Sequence, residues 1–221
     1  VARWHAQPAA HILLAQDPVK RRGIAEDEMK ASLPKTYAYL KRFEKELRGR
    51  KSRGVSDMIG KGSPFYTMFA VGGYTMAPYK VVWREQADSL TCCVVGIIDS
   101  KAIIPDHKLM LVEAVNKDNA YFVCACLNSS LGQFVAKSYA VETQMDPHII
   151  EHIRVPKFSP ENKVHRELVA LSEEAHAAAA AGDKATVADV EKRIDELAAE
   201  MWGLTKAELK EIQESLAELK S

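Results

Sequence analysis

The chain has 221 residues, of which 47% are hydrophobic and 27% charged, a composition typical of a soluble globular protein with one large domain or a domain plus an extension. Its formal net charge is zero, so no overall basic field points to a nucleic-acid partner. The charge is nevertheless uneven, because Lys35–Arg53 has a net charge of +6 and Asp183–Ser221 a net charge of −4. This asymmetry predicts a basic face near the start and a solvated, acidic support near the end.

The four cysteines all lie within apolar runs, which predicts reduced, buried thiols in a cytoplasmic protein. They are Cys92, Cys93, Cys124 and Cys126. Adjacent residues of a strand point to opposite faces, so the first two are poorly placed to hold one metal ion, and we predict no metal site. No apolar run is long enough to span a bilayer, so we expect no membrane partner. The sequence starts at Val1 without a methionine, which indicates a piece of a larger protein.

The first part of the chain mixes one short apolar run with a basic helix. His11–Ala15 is predicted to be a strand. Lys35–Arg48 is predicted to be one amphipathic helix, because Leu40, Phe43 and Leu47 follow a spacing of three and four residues. The glycine, serine and cations of Gly49–Gly62 are typical of a loop.

The middle of the chain has strand patterns followed by helical ones. The predicted strands are Ala77–Glu85, Leu90–Ile98, Ile103–Ile104 and Lys108–Val115, with a turn at Asp99–Lys101. Asp118 is a plausible N-cap for a helix that runs to Phe134. Ile149–Val155 fits either a strand or a helix.

The last part of the chain is helical. A helix opens at Ser159–Pro160, and Gly182–Asp183 ends it. A heptad-like apolar seam then runs from Val187 to Leu204, and Thr205–Glu208 has the pattern of a capping box. The predicted fold class is α/β (α+β), with a mixed β-sheet, flanking helices and a C-terminal helical hairpin or coiled-coil-like extension. We expect a domain at residues 1–158, whose first 50 residues are a lead-in strand and basic helix, and a helical spacer at residues 159–221.

Cationic side chains near the predicted sheet are the candidate contacts with nucleic acid. Arginine and lysine can bind base edges or phosphates, and loops on a rigid scaffold are where such contacts lie. The candidates for contacts near bases are Lys80, Arg84, Lys101, His107 and Lys108, and those for phosphates are Lys51, Arg53 and Lys61. The alternative for all of them is ordinary surface charge. Trp83 and Tyr79 are more typical of core residues, whereas Phe65 and Tyr66 fit either role.

One short motif offers an enzymatic alternative. Asp99 and Lys101 follow an apolar strand, in the order that PD-(D/E)xK nucleases use for catalysis with Mg²⁺. Asp88 or Asp57 would have to supply a second carboxylate. A plain hairpin turn explains the same residues, and no other catalytic motif is present, so no catalytic residue is assigned.

Several segments, taken in order, resemble the C-terminal target-recognition domain of adenine-N6 DNA methyltransferases of the restriction–modification and phage-defence type. The resemblance covers nearly all of the chain and extends to methylases fused to an endonuclease. The segments are Leu33–Leu40, Leu47–Lys51, Phe65–Phe69, Tyr74–Glu85, Ile103–Lys108, Cys126–Ser130, Ile153–Pro156, Ile194–Leu197 and Met201–Glu208.

The resemblance implies sequence-specific binding of double-stranded DNA beside the target adenine, so that a separate catalytic domain can flip the base out. That domain would carry the glycine-rich strand–turn for S-adenosylmethionine and an Asn/Asp-Pro-Pro-Tyr/Phe motif, and this sequence has neither. We therefore expect no cofactor on this chain and a covalently linked or associated methyltransferase domain as partner. A third hypothesis is an interaction module built on the C-terminal helices.

Overall fold

The structure, a computed structural model, describes residues 1–219. Contacts between residues divide the described chain into two compact units. The inserted unit comprises residues 10–76, and the main unit comprises residues 1–9 together with residues 77–219.

The inserted unit is mostly helical. A two-stranded antiparallel ribbon, β1 (Gln16–Asp17) and β2 (Arg22–Gly23), precedes five helices. These are α1 (Glu26–Ser32), α2 (Pro34–Lys41), α3 (Glu44–Arg48), α4 (Arg53–Gly60) and α5 (Gly73–Met76). The core of this unit consists of Ala15, Met29, Phe65 and Tyr66. Phe65 and Tyr66, which fitted either role in the sequence, are therefore core residues.

The main unit is built on a three-stranded antiparallel sheet of order β4-β3-β7. Its strands are β3 (Tyr79–Arg84), β4 (Cys92–Val95) and β7 (Leu109–Ala114). β3 is central because it is apolar on both faces: Val81 and Trp83 pack in the large helical core, while Val82 packs on the opposite side. A separate two-stranded ribbon, β5 (Ile97–Ile98) and β6 (Lys101–Ala102), follows β4.

Six helices complete the main unit, and the first of them packs directly on one face of the sheet. They are α6 (Lys117–Asn128), α7 (Ser130–Tyr139), α8 (Pro147–His152), α9 (Lys163–Ala181), α10 (Lys184–Met201) and α11 (Lys206–Glu218). Helix α6 lies between the sheet and the hairpin of α9 and α10. The Trp83 indole, predicted to be core, is 1% exposed and donates to the carbonyl of Met145. The N-terminal segment completes this core with Trp4, whose backbone N–H donates to the Cys92 carbonyl.

The mixed α+β class with C-terminal helices is confirmed. Several local predictions are wrong, among them the loop at Gly49–Gly62, which contains helix α4 (Arg53–Gly60). Residues 11–15 form no strand, and Ile12 and Leu13 are half exposed. The basic helix is two helices, α2 and α3, because Phe43 adopts a non-helical conformation and is too exposed to extend the buried stripe.

Ile103–Ile104, predicted to be a short strand, is not one. The strand that pairs with Ile97–Ile98 is Lys101–Ala102, directly before it in the sequence. The turn at Asp99–Ser100 is confirmed, and both residues have left-handed φ angles, of 48° and 61°. The division into a recognition domain at residues 1–158 and a spacer at 159–221 stays a prediction. Within residues 1–219, no helix is long and apolar enough to cross a membrane.

Candidate nucleic-acid interface

The two units carry opposite net charges. Residues 10–76 contain thirteen Lys and Arg against seven Asp and Glu, a net charge of +6. The rest of the sequence contains seventeen against twenty-three, a net charge of −6. Although the net charge of the whole sequence is zero, the inserted unit is strongly basic, and such a charge attracts a polyanion. We call the inserted unit the basic unit.

The phosphate-side candidates lie on this basic unit and are exposed. Lys51 precedes helix α4, Arg53 begins it and Lys61 follows it. The hydroxyl of Ser52 caps the helix by accepting from the backbone N–H of Val55 at 3.4 Å. The cap fixes where α4 begins and thereby places Lys51 and Arg53 beside its N-terminus.

Arg50, in the same basic run, has a structural role that the sequence did not show. Its guanidinium donates to the carbonyls of Leu47, Phe65 and Thr67 at 2.7–2.9 Å. The group thus joins the end of α3 to the segment after α4. One cation of the cluster holds the unit together, while its neighbours face solvent.

On the main unit, Arg84, His107 and Lys108 lie at one end of the sheet. Arg84 pairs with Leu109 across β3 and β7, and the backbone N–H of Glu85 donates to the Lys108 carbonyl at 3.0 Å. All three side chains are exposed. The Arg84 Nε donates to the Val1 carbonyl at 3.0 Å, and the Lys108 ammonium lies 3.7 Å from a Glu85 carboxylate oxygen.

Lys80 does not face solvent, although its position on β3 predicted a DNA contact. Its side chain is fully buried, and its ammonium group donates to the carbonyls of Ala77 and Ile103 at 2.6 and 3.0 Å. Burial lowers the pKa of this group. In this structure Lys80 joins the start of β3 to the segment that leads to His107, so it is removed from the exposed candidates.

Lys101 is exposed on the β5–β6 ribbon, beside the Asp99 turn. β4 pairs Val95 with Lys80, so the ribbon that follows lies beyond the opposite end of β3 from Arg84, roughly 13 Å along the strand. Asp99, the proposed nuclease ligand, is also exposed. Across residues 1–219, no group of three or more His, Cys, Asp or Glu is placed to hold a metal ion.

The segment Cys126–Ser130 is a structural joint. The Asn128 side chain accepts from the Cys92 backbone N–H and donates to the Cys92 carbonyl, both at 2.9 Å, as a neighbouring strand would. Ser129 caps α7 through the N–H of Gly132, and Ser130 donates to the Asp195 carboxylate. Three consecutive polar residues thus connect the sheet, α7 and α10.

The C-terminal helices present an apolar pocket of about 220 Å³. Its wall is formed by residues of α7, α11 and the turns beside them, among them Phe134, Ile153, Trp202 and Ile212. This is the feature of the described residues that bears on the interaction-module hypothesis. Nothing in the structure indicates what would fill it.

The cysteines act in packing, whereas four of the seven histidines, His107 among them, are exposed. All four cysteines are free and buried, and burial raises the pKa of Cys93 to about 12. His148 and His152 are four residues apart on α8, a spacing that suits a metal ion. His152 instead stacks on Tyr139 with ring centroids 3.8 Å apart.

Comparison with known proteins adds one relative. The chain is similar to the type II methyltransferase M.NspV of Nostoc sp. (strain ATCC 29411 / PCC 7524). The two are 30% identical over 123 residues, which cover 56% of this chain and 24% of the relative. The similarity relates the chain to a type II methyltransferase, of which the matched segment spans about a quarter. No protein-family model matches the chain.

Proposed function

We propose that the chain is the target-recognition part of an adenine-N6 DNA methyltransferase of the restriction–modification type. It binds double-stranded DNA and positions the target adenine for a catalytic domain that this sequence does not contain. The observation that carries the proposal is the 30% identity with a type II methyltransferase over 123 residues. Catalysis and S-adenosylmethionine binding belong to that other domain, because neither of their motifs occurs in this sequence.

The charge distribution supports a DNA-binding role. The inserted unit has a net charge of +6, and Lys51, Arg53 and Lys61 are all exposed on it, free to neutralise phosphates. Arg84, His107 and Lys108 form a compact exposed group at the end of a rigid sheet, which suits contacts near the bases. Lys101 is a further base-side candidate on its ribbon.

Salt dependence of duplex binding tests the phosphate assignment. In the variant with Lys51→Ala, Arg53→Ala and Lys61→Ala, binding of a mixed-sequence duplex should weaken, and the slope of log affinity against log salt should fall by roughly one for each lost contact. A matched control replaces three exposed lysines of the main unit with alanine. They are Lys163, Lys192 and Lys210. Equal slopes for the two triple variants would overturn the assignment.

A further inference from the structure

The most exposed aromatic side chain among the described residues lies on the basic unit. Phe69 is 61% exposed, although burying a phenyl ring stabilises a fold. Its ring lies directly over Gly54, since a Cβ added there would come within 2.5–2.9 Å of three ring carbons. Gly54 is the second residue of α4, next to Arg53 and two residues after Ser52, the N-cap. The ring therefore lies at the end of α4 where Lys51 and Arg53 are found.

The backbone that carries Phe69 is held in place on both sides. Before it, the Arg50 guanidinium bonds the carbonyls of Phe65 and Thr67, and the Thr67 hydroxyl accepts from the Gly23 backbone N–H at 2.6 Å. After it, the Tyr74 hydroxyl donates to the Ala70 carbonyl at 2.6 Å. The exposed ring thus stands on an ordered turn.

The turn itself is strained. Ala70 has a φ of 56°, a left-handed conformation that is unfavourable for a residue with a Cβ. A glycine would relieve the strain, and Gly72 and Gly73 follow within three residues. The exposed ring of Phe69 and the strained backbone of Ala70 each lower the stability of the fold, for independent reasons, at adjacent residues. Strain of this kind is concentrated at functional sites.

We propose that Phe69 stacks against a base of the DNA that the basic unit binds, at a base step that opens when the ring inserts. An aromatic ring offers a π-face to any base, and the neighbouring Lys51 and Arg53 would hold the phosphates on either side. Phe69 is then a binding residue whose contribution does not depend on charge. This inference rests on the proposed DNA-binding function and adds a contact of a different chemical class.

Three substitutions at this position separate stacking from simple cover for Gly54. Phe69→Ala should weaken binding of a mixed-sequence duplex roughly five- to hundredfold, with an unchanged salt slope because no cation is lost. Phe69→Leu keeps an apolar cover over Gly54 but removes the π-face, so it should weaken binding nearly as much. Phe69→Trp should retain or strengthen binding. Thermal unfolding of each variant provides the check that the inserted unit still folds.

The outcomes distinguish this inference from the function on which it rests. If the wild-type chain binds the duplex with a strong salt slope and Phe69→Leu binds equally well, stacking is overturned and the DNA-binding function stands. Unchanged duplex binding by Phe69→Ala would also overturn it. If the wild-type chain shows no salt-dependent duplex binding, both proposals fail together.

Discussion

At the scale of single residues, Lys80 shows how a charged side chain can serve the fold instead of the surface. Its ammonium group bonds two carbonyls from segments more than twenty residues apart in sequence. Among the described residues, no carboxylate lies within ion-pair distance of this ammonium group. The two carbonyls alone therefore compensate the cost of removing its charge from water. Lys80 is therefore a positioning residue for the segment that leads to His107 and Lys108.

Replacing Lys80 with methionine should lower the free energy of unfolding by roughly 1–3 kcal/mol, because two hydrogen bonds to a charged group are lost while the apolar stem is kept. Urea unfolding measures this change. The matched control is Lys101→Met at an exposed position, which should change stability by no more than about 0.5 kcal/mol. A loss of salt slope in duplex binding by Lys80→Met would show instead that this lysine contacts a phosphate.

His176 of α9 is a second structural residue, and it makes stability depend on pH. Its Nε2 accepts from the backbone N–H of Val94 at 2.8 Å, and its Nδ1 lies 2.6 Å from the Ser172 carbonyl, which fixes the proton on Nδ1. The rings of Trp4 and Tyr121 pack edge-on against it. Burial lowers its pKa from 6.5 to about 4, outweighing the nearby Glu173 carboxylate, which acts in the opposite direction.

Between pH 6.5 and 4 the unfolded chain binds a proton at His176 that the folded chain does not, so the free energy of unfolding should decrease as the pH falls through this window. The loss should reach on the order of 3 kcal/mol at the low end. Urea unfolding across the window measures it, and His176→Gln should flatten the dependence. Burial lowers the pKa of His165 as well, which leaves a smaller residual effect of the same sign. A wild-type stability that does not change across this window would contradict the assigned environment.

How far the sequence predicts a residue's role depends on how far away its partners lie. The prediction that Trp83 is a core residue is confirmed, because the residue type and the apolar run around it are local information. The role of Lys80 depends on a hydrogen bond to Ile103, and that of Asn128 on hydrogen bonds with Cys92. Both partners are distant in sequence, so a local pattern does not show them. For the same reason the sequence could not show that Arg50 is used internally while Lys51 and Arg53 remain exposed.

At the scale of elements, polar joints decided where helices end. The predicted helix from Asp118 to Phe134 begins at Lys117 with Asn116 as its cap, and it stops at Asn128. Ser129 then restarts the chain as the N-cap of α7. The two helices approach so closely that a Cβ on Gly132 would lie 2.4 Å from the Cys126 carbonyl oxygen, so the joint needs a glycine there. The capping box at Thr205–Glu208, a purely local pattern, is confirmed.

Asp195 of α10 supports the same joint from the other side. This carboxylate is 8% exposed, and it accepts from the Ser130 backbone N–H at 2.6 Å and from the Gln213 amide at 2.9 Å. It therefore caps the start of α7 and ties α10 to α11. The interaction is favourable because a carboxylate at a helix N-terminus lies at the positive end of the helix dipole.

Asp195→Ala should lower the free energy of unfolding by roughly 1.5–3 kcal/mol, since the lost bonds involve a charged acceptor and leave buried donors without a partner. Asp189 on the same helix is 76% exposed at its side chain, and Asp189→Ala should be nearly neutral. Thermal or urea unfolding compares the two. Equal stability of the two variants would mean that the Asp195 hydrogen bonds contribute nothing to the stability of the fold.

At the scale of the whole molecule, the segments that resemble target-recognition domains are largely scaffold. The run Tyr74–Glu85 contains the central strand β3, and Cys126–Ser130 contains the joint between α6 and α7. The exposed cations proposed to bind DNA lie mostly at strand ends and beside α4. Four of these cations, Lys51, Arg84, His107 and Lys108, lie within the resembling segments, so the resemblance covers part of the candidate contact surface as well as the architecture.

The charge division was only partly predictable. The sequence showed a basic run and an acidic tail, but the extent of the basic unit, residues 10–76, comes from how the chain folds back at residue 77. We expect the inserted unit to supply most of the salt-dependent affinity and the main unit to supply base discrimination. The proposed base-side residues, Arg84, Lys101, His107 and Lys108, all belong to the main unit.

Selection from a randomised duplex library tests the central claim, that this chain recognises a DNA sequence, most directly. The wild-type chain should enrich one short sequence. Alanine at a base-reading cation such as Arg84 or Lys108 should cost roughly 1–3 kcal/mol and relax the preference at one position, while the Lys51, Arg53 and Lys61 variant weakens all sequences alike. Salt-dependent binding without any enriched sequence would contradict the claim and leave only a nonspecific DNA-binding surface.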